Sequence, residues 1–379
     1  MKRRIAHVIT GLPVGGSQVM LHKLLSATDR ESWDPEVISL RDVGVMGERI
    51  AAMGIPVRAL GMRERPADVT ALPRLVRWLR ERPPDLVQTW LYHADLIGGL
   101  AAWRAGVPVI WGIRQSGLDP RSNRRSTIWI ARICARLSRR IPRRIVCCSE
   151  TALRFHASMG YSNEKMVVIP NGFDPRTFRP DPSARGSVRE ALSLPPSTPL
   201  VGIVARFDPE KDHRTFVRAA ARLHAMMPDV HFLLCGEGID AAHGELVDWI
   251  ATAGVASRCH LLGPRQDLPL LTAALDIATL SSSGEGFPNV IGEAMACGVP
   301  CVVTDVGECA AIVGDTGRVV PSRNPAALAE AWGDLLRIGA AARALLGAAA
   351  RSRIEREFEI GAIARRYSAL HDEVVDQAG

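Results

Sequence analysis

The stretch from Leu275 to Pro300 constrains this chain most. An apolar run, Leu275 to Leu280, has the composition of a buried strand and ends in three serines, Ser281, Ser282 and Ser283. Gly284 and Gly286 then flank Glu285, so a flexible loop follows the strand. Asn289, just after Pro288, reads as the N-cap of a short helix that Gly298 and Pro300 stop. Such a strand, loop and helix aim backbone N–H groups and a helix dipole at whatever lies above the strand. Glu285 falls in the loop and Glu293 about one turn into the helix, so the two carboxylates can face one pocket. The pattern suits a sugar nucleotide: amides for the diphosphate, Glu293 for ribose hydroxyls, Glu285 for sugar hydroxyls. Two exposed acids around a helix start would be the plainer reading.

The segment Ser-x-x-Glu-Gly-Phe-Pro-Asn-Val, then Glu-Ala-Met-Ala-Cys-Gly-Val-Pro, resembles the E-x7-E motif of family 4 retaining glycosyltransferases. That resemblance implies an α/β fold of the GT-B class, two Rossmann-like domains facing each other across a cleft. It further implies a C-terminal helix that crosses back onto the first domain. Gly286, Phe287, Pro288, Asn289 and Val290 become donor-binding positions beside Glu285 and Glu293.

The chain of 379 residues is too long for one ordinary core and fits two domains. Charge divides the same way: residues 1–178 carry 28 Lys/Arg against 15 Asp/Glu, a balance of +13, and the remainder carries 19 against 25, a balance of −6. We expect domains at 1–178, with a crossing helix at 356–379, and at 179–355. The proline-rich stretch Phe178 to Pro199, around a short helix Val188 to Leu192, reads as the linker. No run of about 20 apolar residues occurs, and the basic start Met1 to Ile9 is too short in its apolar part for a signal peptide. The expectation is a cytoplasmic protein. The eight cysteines form no Cys-x-x-Cys and have no histidine at ligand spacing, so they read as reduced and mostly buried, with no metal site.

In the first half, strands are expected at Ile5–Thr10, Glu36–Leu40, Val57–Leu60, Leu86–Thr89, Val107–Gly112 and Ile145–Cys148, separated by amphipathic segments such as Leu72–Arg80 and Ala94–Trp103. Such alternation implies a parallel sheet covered on both faces. Gly15 and Gly16 lie between the first strand and the helix Val19–Leu25. They let a backbone approach a phosphate, but the spacing is not Gly-x-Gly-x-x-Gly, which argues against a nicotinamide cofactor. The place resembles the family's first-domain glycine loop. His93 follows a strand end, where ligands of open α/β sheets bind, and it matches the position of the family histidine that meets the transferred sugar. Asp95 reads as a helix N-terminal acid. Arg114 ends the next strand and faces either an anionic acceptor or a surface ion pair.

Arg121 to Arg144 holds nine arginines and no acid, with Ile128, Trp129, Ile130, Ile133, Cys134 and Leu137 between them. Two readings stand: a basic amphipathic helix lying on an anionic membrane surface, or a core-packing helix with a solvated basic face. Nucleic acid is not expected, since no nucleic-acid motif accompanies the charge.

In the second half, Leu200–Val204 leads to Arg206 and Lys211, two cations that straddle a turn and suit a diphosphate. They match the family's R-x4-K pair, which implies that they neutralise the leaving nucleoside diphosphate. Gly236 and Gly238 resemble its G-x-G turn. Gly263 and Arg265 lie in the loop that, by resemblance, reads the base; Arg265 stacks on it or is solvated. Helices are expected at Ala326–Arg337 and Ile354–Leu370.

The resemblance thus implies a metal-independent retaining enzyme without a cofactor. It would use a nucleotide-sugar donor and a saccharide acceptor; the basic segment Arg121 to Arg144 suggests a polyprenyl-diphosphate-linked one, with the enzyme peripheral on the inner membrane face and a role in surface polysaccharide biosynthesis. Two alternatives remain at this point. A sugar-nucleotide epimerase of the same fold needs a carboxylate acid/base pair that the sequence does not display. A non-enzymatic basic binding protein needs none of these motifs.

Overall fold

The computed structural model describes residues 2–62, 70–118 and 123–378. Met1, Arg121 and Gly379 of the expectations above lie outside the described residues. The chain divides into two compact units, Met1–Gly172 with Ile360–Gly379, and Phe173–Glu359.

The first unit holds a sheet of seven strands: β1 (Arg3–Ile9), β2 (Trp33–Ser39), β3 (Val57–Ala59), β4 (Leu86–Trp90), β5 (Val109–Ile113), β6 (Arg144–Cys147) and β7 (Met166–Val168). They run in the order β3-β2-β1-β4-β5-β6-β7, and every pairing is parallel. β4, β5 and most of β2 are buried on both faces, which is why they read as unbroken apolar runs rather than alternating ones. Helices Ala71–Glu81, Tyr92–Ala105 and Arg125–Leu137 pack side by side, and Gly16–Ala27 packs with Gly44–Ala52 and with the last helix, Ile360–Asp376.

That last helix is part of the first unit's core. Ile360, Ile363, Ala364, Tyr367, Leu370 and Val374 join Ile5, Ile9, Leu21, Trp90 and Ile110 in one buried cluster. His371 donates from Nε2 to Gln88 Oε1 at 2.6 Å, and Arg3 reaches Asp372 at 2.6 Å. Helix is expected without a break from Ile354 onward, but two helices occur, Gly339–Glu357 and Ile360–Asp376. The break has a cause on each side. Phe358 uses its carbonyl to accept from the Phe173 amide at 2.8 Å and packs its ring on Phe173 and Phe287, while Ile360 turns into the first unit.

The second unit holds β8 (Leu200–Val204), β9 (His231–Cys235), β10 (Cys259–Leu261), β11 (Ile277–Leu280), β12 (Cys301–Thr304) and β13 (Arg318–Val320), in the parallel order β10-β9-β8-β11-β12-β13. Phe216, Phe232 and Trp332 form the centre of its core.

The stretch Phe178 to Pro199 is not a linker. It lies inside the second unit and carries a helix, Ala184–Ala191, that starts four residues earlier than expected. Arg189 in that helix is fully buried. Its Nη2 pairs with Asp276 at 2.6 Å, its Nε donates to Thr198 O at 2.8 Å, and its Nη1 donates to Ala274 O at 2.9 Å. Arg185 and Arg343 add their charges to the same carboxylate. Proline content marked loops correctly, but a buried guanidinium has no signature in composition. The unit boundary falls at Gly172/Phe173, where Phe173 bridges to Glu359 and stacks on Phe287.

Burial pushes His7 down to about 3 and His156 to about 4. It also takes His371 well below the ordinary range, with the neighbouring His7 adding to the effect. An unfolded chain protonates these histidines near pH 6.5, whereas the folded one resists. Their stabilising share is therefore complete above pH 6.5 and is lost as pH falls toward 4. Denaturant unfolding at pH 7.5 and pH 5 should show a clearly lower midpoint at pH 5; equal midpoints would contradict the burial of these rings.

Candidate functional site

In a parallel sheet the loops after the strands all emerge at one edge, the edge where open α/β sheets bind ligands. In the second unit that edge gathers the loops after β8, β9, β10, β11 and β12. They are laced by backbone bonds: Ala205 N to Cys235 O at 2.9 Å, Phe207 N to Glu237 O at 2.7 Å, and Gly236 N to Gly263 O at 2.9 Å. Gly236 sits at φ +151°, and a Cβ there would lie 2.1 Å from Ala205 O. The G-x-G turn is thus set by close backbone packing.

Arg206 and Lys211 bracket a short 3-10 turn, Pro209–Lys211, which Asp208 caps by accepting from Glu210 N at 2.9 Å. Asp208 also takes both ends of the Arg206 guanidinium, Nε at 3.1 Å and Nη2 at 2.9 Å. Burial alone would raise the Asp208 carboxyl. The Glu210 amide, Arg206 and Lys211 outweigh that and hold it below the usual carboxylate range. The Arg206 side chain stays more than half exposed.

Lys211 is held differently. Its Nζ meets Glu285 Oε1 at 2.5 Å, with only 22% of the lysine side chain and 8% of the glutamate exposed. Ser282 Oγ donates to the same oxygen at 2.7 Å. The three serines after β11 that were visible in the sequence each have a task. Ser281 donates to Lys211 O at 2.8 Å, Ser282 orients Glu285, and the Ser283 amide donates to Glu210 O at 2.7 Å. Thr304 at the end of β12 donates to Ser282 O at 2.7 Å. The Arg206–Lys211 turn and the Glu285 loop are therefore one hydrogen-bonded assembly, although 74 residues separate Lys211 from Glu285.

The helix after this loop is Asn289–Ala296, with Glu293 buried on it. Asn289 is its first residue, not its cap; Pro288 holds the N-cap position, with no side-chain capping bond and no acid in the first turn. The dipole end of this helix therefore carries no built-in negative charge. Phe287 turns its ring away into the cluster with Phe173 and Phe358. Gly286 and Val290 flank it in a half-buried backbone stretch. Gly263, at φ +63°, donates to Ile239 O at 2.7 Å. Arg265 is chelated by Asp267, with 2.8 Å and 2.7 Å contacts, and is half-exposed, so it is neither plain solvent nor buried.

The first unit brings its own candidates to the carboxyl edge of its sheet. Helix Gly16–Ala27 starts after Gly15, with no acid in its first turn and no side-chain cap. Gln18 Nε2 reaches back to Gly11 O at 3.0 Å, which closes the glycine loop. His93 is half-buried in the first turn of Tyr92–Ala105. Leu91 just before it is held at φ +75°, a strained value for a non-glycine residue.

One of the two readings of Arg114 is corrected here. Arg114 is not in a surface ion pair. It is buried, donates to Tyr367 OH at 3.2 Å and to Asn171 Oδ1, and lies over the Trp90 ring at 5.2 Å. Asp95 is the first-turn acid expected at the start of its helix. It is fully buried, takes Thr89 Oγ1 at 2.5 Å and Gly112 N at 3.2 Å, and burial raises it to about 7. It fastens the His93 helix to β4 and β5, a structural task that its first-turn position concealed.

All eight cysteines are free thiols, seven of them buried. Among the described residues no three His, Cys, Asp or Glu side chains are grouped to hold a metal, and no helix is long and apolar enough to cross a membrane.

Gly307 fixes the Glu285 loop from the β12 side: at φ +56°, a Cβ would lie 2.1 Å from Glu285 O. Gly307→Ala should therefore cost about 1–3 kcal/mol and lower Tm by several degrees. An unchanged Tm would show that the loop is looser than described.

Both halves of the chain are similar to known proteins. The family model described as Glycosyltransferase Family 4 matches residues 14–177, and that described as Glycosyl transferases group 1 matches residues 198–337. EpsF of Bacillus subtilis, named as a glycosyltransferase, is 27% identical over 316 residues, 80% of this chain and 79% of that one. The UDP-Gal:alpha-D-GlcNAc-diphosphoundecaprenol alpha-1,3-galactosyltransferase of Escherichia coli is 26% identical over 242 residues, 63% of this chain and 62% of that one. Among solved structures, Anabaena HepE in complex with UDP aligns with a TM-score of 0.86 at 23% identity, covering 98% of this chain and 100% of that one. The chain belongs to family 4 of the glycosyltransferases and has the GT-B fold.

Proposed function

We propose that this glycosyltransferase is a retaining enzyme that moves a sugar from a nucleoside-diphosphate sugar to a saccharide or polyprenyl-diphosphate-linked acceptor in surface polysaccharide biosynthesis. The observation that carries the reading is the Lys211–Glu285–Ser282 assembly beside an acid-free helix start. A diphosphate at that edge meets the Lys211 ammonium, the Arg206 guanidinium and the first-turn amides of Asn289–Ala296. Glu293 on the same helix serves ribose hydroxyls, and Glu285 serves sugar hydroxyls. The name of the Escherichia coli relative includes a diphosphoundecaprenol-linked saccharide, which supports a lipid-linked acceptor.

In the reaction, charge grows on the leaving phosphate as the anomeric bond breaks. Arg206 and Lys211 are oriented before the substrate arrives, by Asp208 and Glu285, so they stabilise that charge with little reorganisation. This reading asks for no metal, since the two cations supply the charge. The acceptor hydroxyl attacks on the face the phosphate leaves, and the phosphate takes its proton; the sugar keeps its anomeric configuration. His93 is the residue we assign to the transferred sugar. The base is read by the Gly263–Arg265 loop. The Escherichia coli relative has UDP in its name and HepE was solved in complex with UDP, so UDP is the first nucleotide to test, against GDP, ADP and dTDP in a thermal-shift screen.

Lys211→Ala should keep the fold but lower Tm by several degrees, because Glu285 loses its partner, and lower turnover at least about a hundredfold, the scale on which oriented transition-state donors act. Near-wild-type turnover would remove Lys211 from the mechanism. Incubation of the enzyme with sugar nucleotide alone separates the epimerase alternative: a new epimer without any acceptor would favour it.

A further inference from the structure

We propose that the outer face of the helix Arg125–Leu137, with the neighbouring face of Ala71–Glu81 and Tyr92–Ala105, is a docking surface for an anionic lipid bilayer. The helix Arg125–Leu137 is packed inside out. The residues it buries are the small ones, Ala131, Cys134 and Ala135. Its largest side chain, Trp129, is 63% exposed, and Ile133 one turn on is 39% exposed. A helix serving only the core would bury those two and expose its alanines. Arg125, Arg132 and Arg136 are exposed around them, and the helix contains no acid. Alternating arginine and large apolar side chains on one outer face suit the boundary between headgroups and acyl chains.

The layer beside it continues the pattern. Tyr92–Ala105 lies next to Ala71–Glu81 on one side and to Arg125–Leu137 on the other. Trp103 is 58% exposed. An open groove of about 620 Å³ has Leu72, Pro73 and Val76 for its apolar wall and Arg77, Arg80, Arg104 and one acid, Glu81, around it, with Glu81 paired to Arg77 at 2.6 Å. Scattered exposed apolar residues need no explanation; two tryptophans, an isoleucine and an apolar groove in one arginine-rimmed layer do. The charge chooses the occupant, because a neutral or cationic surface would gain nothing from these arginines.

The placement fits the proposed reaction, and its role rests on that reading. Both Tyr92–Ala105 and Arg125–Leu137 follow strands of a parallel sheet, so both begin at its carboxyl edge. Trp129 lies in the second turn of its helix and His93 in the first turn of the other. Docking through Trp129 thus brings the His93 edge toward the membrane, where a lipid-linked acceptor presents its sugar.

The test is co-sedimentation of the full chain with vesicles of phosphatidylglycerol and phosphatidylcholine, and with pure phosphatidylcholine, at low and high salt. Binding is expected to the anionic vesicles alone, and to weaken at high salt. Two variants, Trp129→Ser/Ile133→Ser and Arg125→Gln/Arg132→Gln/Arg136→Gln, change exposed positions only. Each should lose at least tenfold in partition coefficient, since each basic residue contributes about fivefold. Calorimetric titration with UDP runs alongside and should be unchanged in both. No vesicle binding, equal binding to neutral vesicles, unchanged binding by the variants, or preference for duplex DNA over vesicles would each overturn the docking surface. Loss of UDP binding with vesicle binding intact would instead overturn the donor reading and leave this surface standing.

Discussion

One short contact, between the Lys211 ammonium and the Glu285 carboxylate, ties together what the second unit needs for chemistry. Taking an ion pair out of water is costly unless other hydrogen bonds share the load. Here Ser282 completes the carboxylate, Ser281 fixes the lysine backbone, and Thr304 holds the serine loop from the next strand. Without that frame the lysine would be one more flexible surface cation. With it, a positive group sits at a fixed place on the edge of a parallel sheet, next to a helix end that carries no charge of its own.

The first unit follows the same logic with different means. Its glycine loop and His93 are placed by backbone constraints: Gln18 folding back on Gly11, Leu91 held in an unfavourable conformation, and a buried Asp95 clamping the helix to two strands. Strain and a buried carboxyl are both destabilising in isolation. That they occur together at one strand end is a reason to regard that end as the working edge of the sheet.

Much of this could be read from the chain itself, for identifiable reasons. Unbroken apolar runs between amphipathic segments require parallel strands, and glycine pairs after them require close backbone approach. The Arg206–Lys211 spacing and the Glu285–Glu293 spacing each fit within one strand–loop–helix unit, so both were legible. What escaped depended on partners distant in sequence. Arg189 looks like a surface residue of a proline-rich connector until Asp276, 87 residues on, is seen to receive it. Arg114 looks like an exposed cation until Tyr367 and Asn171 close over it. Local capping rules chose Asn289, whereas the chain enters its helix through Pro288. The two readings of the arginine-rich helix differ only in which side faces inward, and small residues inside with tryptophan outside is an orientation that residue types alone do not fix.

The docking of Ile360–Asp376 into the first unit has a consequence for how the protein is made. Six of its side chains belong to the hydrophobic cluster around β1 and β4. A ribosome delivers β1 to β7 long before it delivers that helix, and the whole of the second unit emerges in between. Until then the share of that core which the last helix fills stays open beside Gly16–Ala27, while the carboxyl-terminal unit can finish first.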